Sequence, residues 1–281
     1  MSVILSLCSD VMATVLCSLF SLHYCKRVCQ MPTPLLRFSN ATASVVRVPP
    51  LRVYRYTTPT PIGECVVLVD EEGAVCLCNW TDCEEDAVCR LRRAYQPREI
   101  LIDEAAATAK EEEEEEEDGD DSETSDARAY AVRQLRRYFS YSFPPMKGGG
   151  RDTSVSFCQQ KLHALLDGVP IRCPPSTSLT QAAWAALREV RLGEITTYGA
   201  LAKRCQRPSA SRAVGRAMRE NHVCLFLPCH RVVGASRALT GFGPGLWRKV
   251  WLLRHEQAAI PARQLQRVES VQGTSLKRER A

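Results

Sequence analysis

Residues 51–57 (Leu-Arg-Val-Tyr-Arg-Tyr-Thr) alternate apolar and polar positions as a half-buried strand does. A turn follows through Pro59, Pro61 and Gly63, then Cys65–Val69, an acidic turn through Gly73, and Ala74–Trp80. The pattern predicts an antiparallel meander. Residues 83–95 change to helical spacing, with Ala87, Leu91 and Ala94 on one side, and Ala127–Phe139 reads as a basic helix. Gly148–Gly150 marks a joint, Val169–Arg172 a short strand, and the remainder is expected to be mainly helical. Gln181–Val190 places Ala183, Trp184, Leu187 and Val190 along one stripe, read as core packing. Tyr198–Arg204 and Ser211–Arg219 are two short helices across a Pro-Ser turn, a helix-turn-helix spacing. Beyond Arg267 the chain is a polar tail.

Charge divides this chain more sharply than its average shows. Of 281 residues, 37 are Lys or Arg and 32 Asp or Glu, a net of +5, and a charged content of 25% with 15 Gly and 16 Pro excludes a collagen, a coiled coil or a wholly disordered chain. Residues 99–126 hold 15 acids and one base, including seven consecutive Glu from Glu111 to Glu117, and read as a self-repelling, disordered insertion. Residues 151–281 carry 21 bases and 8 acids, a net of +13, which points to a polyanionic partner.

The first 30 residues are apolar and Cys-rich, but Asp10 interrupts them and no Lys or Arg precedes the apolar run. They lack the positive start of a secretory signal, their length would allow a membrane helix that Asp10 and several Ser weaken, and the favoured reading is that Met31 is the true start. The 14 Cys contain no CxxC pair. Cys76 and Cys78 in C-x-C would share one face of a strand, and with Cys65, Cys83 and Cys89 nearby a zinc ion in this region is the minor reading; scattered reduced thiols of an intracellular protein are the major one.

The candidate chemistry sits at Pro228-Cys229-His230-Arg231-Val232, with Asn221 before it and Glu256 after. A free thiol is mostly protonated at neutral pH, so a nucleophilic Cys needs a base and that base an orienting acceptor. His230 supplies the base, Glu256 the acceptor that fixes its tautomer, and Asn221 a brace for the backbone between.

The wider spacing carries a resemblance. Tyr198, the run Ser211-Arg212-Ala213-Val214-Gly215-Arg216-Ala217-Met218-Arg219, Asn221, the Cys229 motif, Gly241-Phe242-Gly243-Pro244-Gly245 and Trp251-Leu252-Leu253-Arg254-His255-Glu256 together resemble the O6-alkylguanine-DNA alkyltransferase family over about residues 180–257. A weaker match to the family's N-terminal domain begins at Thr58-Pro59 and is broken by the acidic insertion. The resemblance implies an α+β fold: a small RNase H-like α/β domain with an antiparallel sheet, then a helical, winged helix-turn-helix-like domain. The domains expected are an N-terminal extension (1–50), the α/β domain (51–150, interrupted at 99–126), the alkyltransferase DNA-binding domain (170–260) and the tail (261–281).

By the same resemblance, double-stranded DNA containing O6-alkylguanine is the partner, and O4-methylthymine is a further substrate. The target base leaves the stack, because its O6 substituent is out of reach inside the duplex. Cys229 then takes the alkyl group in one irreversible, single-turnover step. Arg212 fills the gap, and its helix lies in the minor groove with Ser211, Ala213 and Gly215 against DNA. Tyr198 matches the residue that helps rotate the nucleotide and protonates the departing guanine. Carbonyls of Cys229 and Val232 match acceptors for the guanine amino group, Phe242, Gly243 and Pro244 line the alkyl pocket, and Lys249 braces the loop. No metal or other cofactor, no membrane and a monomer are expected, located in the nucleus of a eukaryote or the cytoplasm of a bacterium. Phe242 stands where many members have Tyr and Pro244 where Gly is common; methyl transfer should survive both, and benzyl transfer should be poorer. A non-catalytic lesion-binding relative is the alternative, but such relatives usually carry Trp at the position of Cys229.

Overall fold

A computed structural model describes residues 48–105, 127–143, 153–261 and 264. The 1–47 extension, most of the acidic tract, the 148–150 joint and the tail after 264 lie outside the described residues. The described residues from Val48 onward group as one compact unit.

The chain opens with β1 (Leu51–Thr58), β2 (Cys65–Asp70) and β3 (Val75–Trp80), which pair antiparallel in sequence. A helix α1 (Glu84–Tyr95) leads to β4 (Ile100–Glu104), which returns parallel to β1, so the four-stranded sheet has the order β3-β2-β1-β4 and is mixed. Helices α2 (Ala127–Ser140), α3 (Thr153–Asp167), α4 (Ser178–Arg188), α5 (Tyr198–Arg204), α6 (Ser211–Arg219) and α7 (Leu246–His255) follow, with a two-residue parallel pairing of β5 (Thr196–Thr197) and β6 (Val232–Val233). This is an α+β fold. None of the helices among the described residues is long and apolar enough to cross a membrane.

Alternation sets the layers. In β2, Val66 and Leu68 pack with Ala87, Leu91 and Tyr95 of α1, whereas Cys65, Val67 and Val69 pack with α2, α3 and the C-terminal helices. Both faces are covered, which is why β2 reads as an unbroken apolar run. Each fully buried Val or Leu here stabilises the fold by about 1.5–3 kcal/mol relative to exposure.

Five expectations need correction. Tyr95, not Ala94, completes the buried stripe of α1: it follows Ala87 and Leu91 in an i, i+4, i+8 row, and Val88 packs on the same side. Residues 100–104, read as the start of the acidic insertion, form β4, since Ile100-Leu101-Ile102 is apolar enough to pair and bury while the tract's average charge conceals it. The sheet is therefore not wholly antiparallel. Val169–Arg172 makes only a single bridge at Ile171, with Val75 donating to Pro170 O and accepting from the Arg172 N–H. Cys76 and Cys78 do not share a face: the pairing slips from Leu68↔Leu77 to Val69↔Val75, Cys76 is the extra residue of the bulge, and it packs with the α1 side while Cys78 packs with the opposite core. The helix α3 was not foreseen at all.

The outer edge of β3 positions the site. The Cys78 N–H donates to His222 O at 2.9 Å, and Cys78 O accepts from the Cys224 N–H at 3.0 Å. The segment between Asn221 and the Cys229 turn is thus stitched along the sheet as if it were a further strand.

Candidate active site

Cys229 lies in a single turn, Cys229–Arg231, entered through Pro228, and its N–H donates to Leu227 O at 2.8 Å. Leu227 O also accepts from Asn221 Nδ2 at 2.9 Å, while Asn221 Oδ1 accepts from the Val223 N–H at 2.9 Å. Asn221 therefore clamps both ends of the 223–227 loop that presents the thiol. Cys229 is buried, with 8% of the residue exposed.

Next to it, His230 is wholly buried and its Nε2 lies 2.9 Å from Glu256 Oε1. Glu256, also wholly buried, accepts in addition from Tyr138 Oη (3.0 Å) and from Arg231 Nε and Nη2 (2.9 and 2.8 Å). Burial by itself would raise the Glu256 carboxyl, but the Arg231 guanidinium and His230 outweigh it and hold the group well below the usual carboxylate range. Burial holds His230 below its ordinary value against the pull of Glu256, so the ring is neutral. With Nε2–H directed at the carboxylate, Nδ1 carries the free lone pair, and among the described residues it has no hydrogen-bond partner.

The Cys229 thiol is more acidic than an ordinary Cys. Hydrogen bonding from the Cys224 thiol is the largest influence; burial opposes it, and Asn221 and the Lys249 charge add to the lowering. Lys249, wholly buried, donates to Val232 O (2.6 Å), Thr240 O (2.8 Å) and Gly241 O (3.4 Å), joining the Cys229 turn to the following loop. Burial lowers its own pKa to about 8, with the Cys229 charge acting the other way.

Across the opening, Tyr198 begins α5 and is half-buried; a Cβ on Gly241 would lie 3.4 Å from its Oη, and one on Gly215 3.8 Å from its ring. Burial raises the Tyr198 phenol, so it stays a proton donor. Phe242 meets the His230 ring edge-on at 6.4 Å. Val232 and Pro244 are buried and Gly243 is exposed. Arg212 and Ala213 are exposed on α6 and Ser211 and Gly215 half-buried, while Val214, Ala217 and Met218 face the core and Trp184 Nε1 donates to Ala217 O at 2.9 Å. The elements thus bring Cys229, His230, Glu256 and Asn221 together and set Tyr198 beside α6.

Residues 178–258 match the family described as "6-O-methylguanine DNA methyltransferase, DNA binding domain". The likeness to that family is confined to this C-terminal segment. A methylated-DNA--protein-cysteine methyltransferase of Haemophilus influenzae is 48% identical over 89 residues, 32% of this chain and 49% of its own length. One from Methanosarcina mazei is 46% identical over 84 residues, 30% of this chain and 53% of its own. The chain spans about half the length of the curated relatives it matches. A crystal structure of O6-methylguanine methyltransferase from Mycobacterium tuberculosis covers 75% of this chain and 96% of its own, at 24% identity and a TM-score of 0.46.

Three residues around the Cys229 thiol carry no clear signal in the sequence. Arg231 is an unpaired-looking cation inside the Cys motif, and its full burial is the signal that it must hold a carboxylate. Cys224 sits five residues before the nucleophile with nothing in its spacing to mark it. Tyr138 reaches Glu256 from 118 residues away on α2, where it looks like one more core position beside Leu135 and Phe139. For zinc, the described residues hold no group of three or more His, Cys, Asp or Glu able to ligate one, and the C-x-C thiols diverge.

Proposed function

We propose that this protein repairs DNA by moving the alkyl group of O6-alkylguanine to Cys229 Sγ, once per molecule. The observation that carries the reading is the free Nδ1 of a neutral, buried His230 whose other nitrogen is locked on Glu256, beside a thiol of lowered pKa. His230 Nδ1 takes the Cys229 proton, directly or through one water, and Glu256 stabilises the imidazolium that results. The thiolate attacks the alkyl carbon in line; the S–C bond forms, the C–O6 bond breaks, and the electron pair leaves with guanine. Tyr198, kept protonated by its surroundings, donates the proton that neutralises the departing base. A thioether has no leaving group for water to exploit in this site, so the protein is consumed.

Duplex DNA is bound through the exposed face of α6, with Arg212 entering the stack and Ser211, Ala213 and Gly215 allowing close approach. The charge of residues 151–281 makes that affinity fall with salt. Side chains supply every proton and the nucleophile, so the scheme calls for no cofactor.

Incubation with a duplex containing O6-methylguanine, followed by peptide mass mapping, tests this. We expect one methyl group on the Cys229 peptide, stoichiometric and without turnover. Cys229→Ser should bind the same duplex and take up no methyl. Methylation of another Cys, or turnover, overturns the reading.

A further inference from the structure

The loop from Thr240 to Gly245 is held at two points by neighbouring residues of α7, and the two anchors lead to different parts of the molecule. Lys249 ties Thr240 and Gly241 to Val232, next to the nucleophile. Arg248 holds the other end: its Nη1 donates to Pro244 O at 2.7 Å. From there its Nε donates to Ile62 O at 3.0 Å, in the turn between β1 and β2, and its Nη2 to Asp82 Oδ2 at 2.9 Å, in the corner after β3. Arg248 is 5% exposed, and its guanidinium lies over the Trp80 ring at 5.1 Å and the Trp247 ring at 4.5 Å.

Trp80 continues the path. Wholly buried, it meets Phe242 edge-on at 6.3 Å, and Phe242 meets His230. Gly63 makes room for the linkage: at φ +107 it is in a region open to glycine, and a Cβ there would sit 3.1 Å from Arg248 Nη2. The guanidinium spreads its donors over Nε, Nη1 and Nη2 and stacks flat against two indoles, a combination of reach and planarity that a single Lys ammonium does not offer.

We propose that Arg248 is a positioning residue through which the N-terminal sheet sets the place of the Phe242–Pro244 wall and so selects among alkyl groups on O6. The inference rests on the alkyl-transfer reading above. Arg248 touches neither base nor alkyl group; it fixes the Pro244 carbonyl against Ile62 and Asp82, and Phe242 is wedged between Trp80 and His230 as a result. Releasing that anchor lets the wall retreat, which harms a small methyl group held for in-line attack more than a benzyl group that needs the space.

The test uses the full chain as wild type, Arg248→Lys and Asp82→Ala, the second at an exposed position outside the buried core. Duplex affinity and single-turnover rate constants are measured with O6-methylguanine and with O6-benzylguanine oligonucleotides. We expect affinity unchanged within about twofold, methyl transfer slower by about tenfold in Arg248→Lys and about threefold in Asp82→Ala, and a methyl-to-benzyl ratio that falls in both. Wild type that methylates Cys229 while the ratio stays constant in the variants overturns the positioning role alone. Wild type that leaves Cys229 unmodified overturns the transfer reading and this inference with it. Should Arg248→Lys not fold, Asp82→Ala decides.

Discussion

Cys76 and Cys229 are both buried thiols, one in the bulge of β3 and one in the turn after Pro228, and their acidities move in opposite directions. Cys76 is packed among Val66, Leu68 and Leu77, and burial, followed by the Asp70 charge, pushes it up to about 12. Cys229 suffers the same desolvation, but Cys224, Asn221 and Lys249 supply donors and positive charge that outweigh it. Burial therefore does not activate a thiol; it raises the worth of whatever donors are buried with it, because they act in a poorly screening medium. On the N-terminal side a largely apolar layer leaves the thiol protonated, whereas on the C-terminal side a polar network lowers the thiol's pKa.

The sharpest way to break that contrast is to remove the charge on which the network converges. Glu256→Gln leaves Arg231 buried with its counter-charge gone and should destabilise the fold by about 3–5 kcal/mol, read from urea unfolding, with methyl transfer lost. The pH dependence carries a sign. The folded carboxyl is held below its unfolded value near 4.5, so the unfolded chain binds the proton more readily. The stabilisation is complete above about pH 4.5 and drains away as pH falls below it. Wild type should lose stability over that range more steeply than Glu256→Gln; parallel acid profiles would mean that Glu256 is not the paired anion.

A smaller effect is expected from Cys224→Ala, which removes the hydrogen bond with the largest influence on the Cys229 thiol while changing the volume little. The wild-type transfer rate should rise with pH about a midpoint below the ordinary thiol value of 9.0, since the ionised form reacts. In Cys224→Ala that midpoint moves upward, and transfer near neutral pH slows by up to about tenfold for each unit of movement. An unmoved midpoint would assign the acidity to Lys249 and Asn221 alone.

Much of this was legible in the residues, and the parts that were not share a cause. The short helices Tyr198–Arg204 and Ser211–Arg219 carry strong local signals, a Pro-Ser turn between them and an apolar stripe at Val214, Ala217 and Met218, so their bounds could be read directly. The antiparallel meander was readable for the same reason. The parallel return of β4 was hidden because its Ile-Leu-Ile core is embedded in a run of acids. The bulge at Cys76 was hidden because a period of two assumes an even register, and only the pairing partner reveals an extra residue. At the site, Cys229, His230, Asn221 and Glu256 lie within 36 residues of chain and could be grouped by motif. Tyr138 and Arg248 earn their roles from partners 118 and 186 residues away, and no spacing rule reaches that far.

The smallest expected effect tests the inert half of the comparison. Cys76 Sγ makes a long contact to Ala74 O at 3.7 Å within a mostly apolar layer, and the nearby Asp70 charge disfavours its thiolate. Cys76→Ala removes one sulfur from a packed layer, which should cost about 1 kcal/mol in denaturant unfolding, a typical single-site loss. Its partners belong to the α1 face, whereas the Cys229 network is built on the opposite core, so the methyl transfer rate and its pH midpoint should both stay at wild-type values. A variant that folds normally yet transfers methyl more slowly would show that the α1 face of the sheet reaches the thiol. The division between an inert packing side and an activating polar side would then have to be withdrawn.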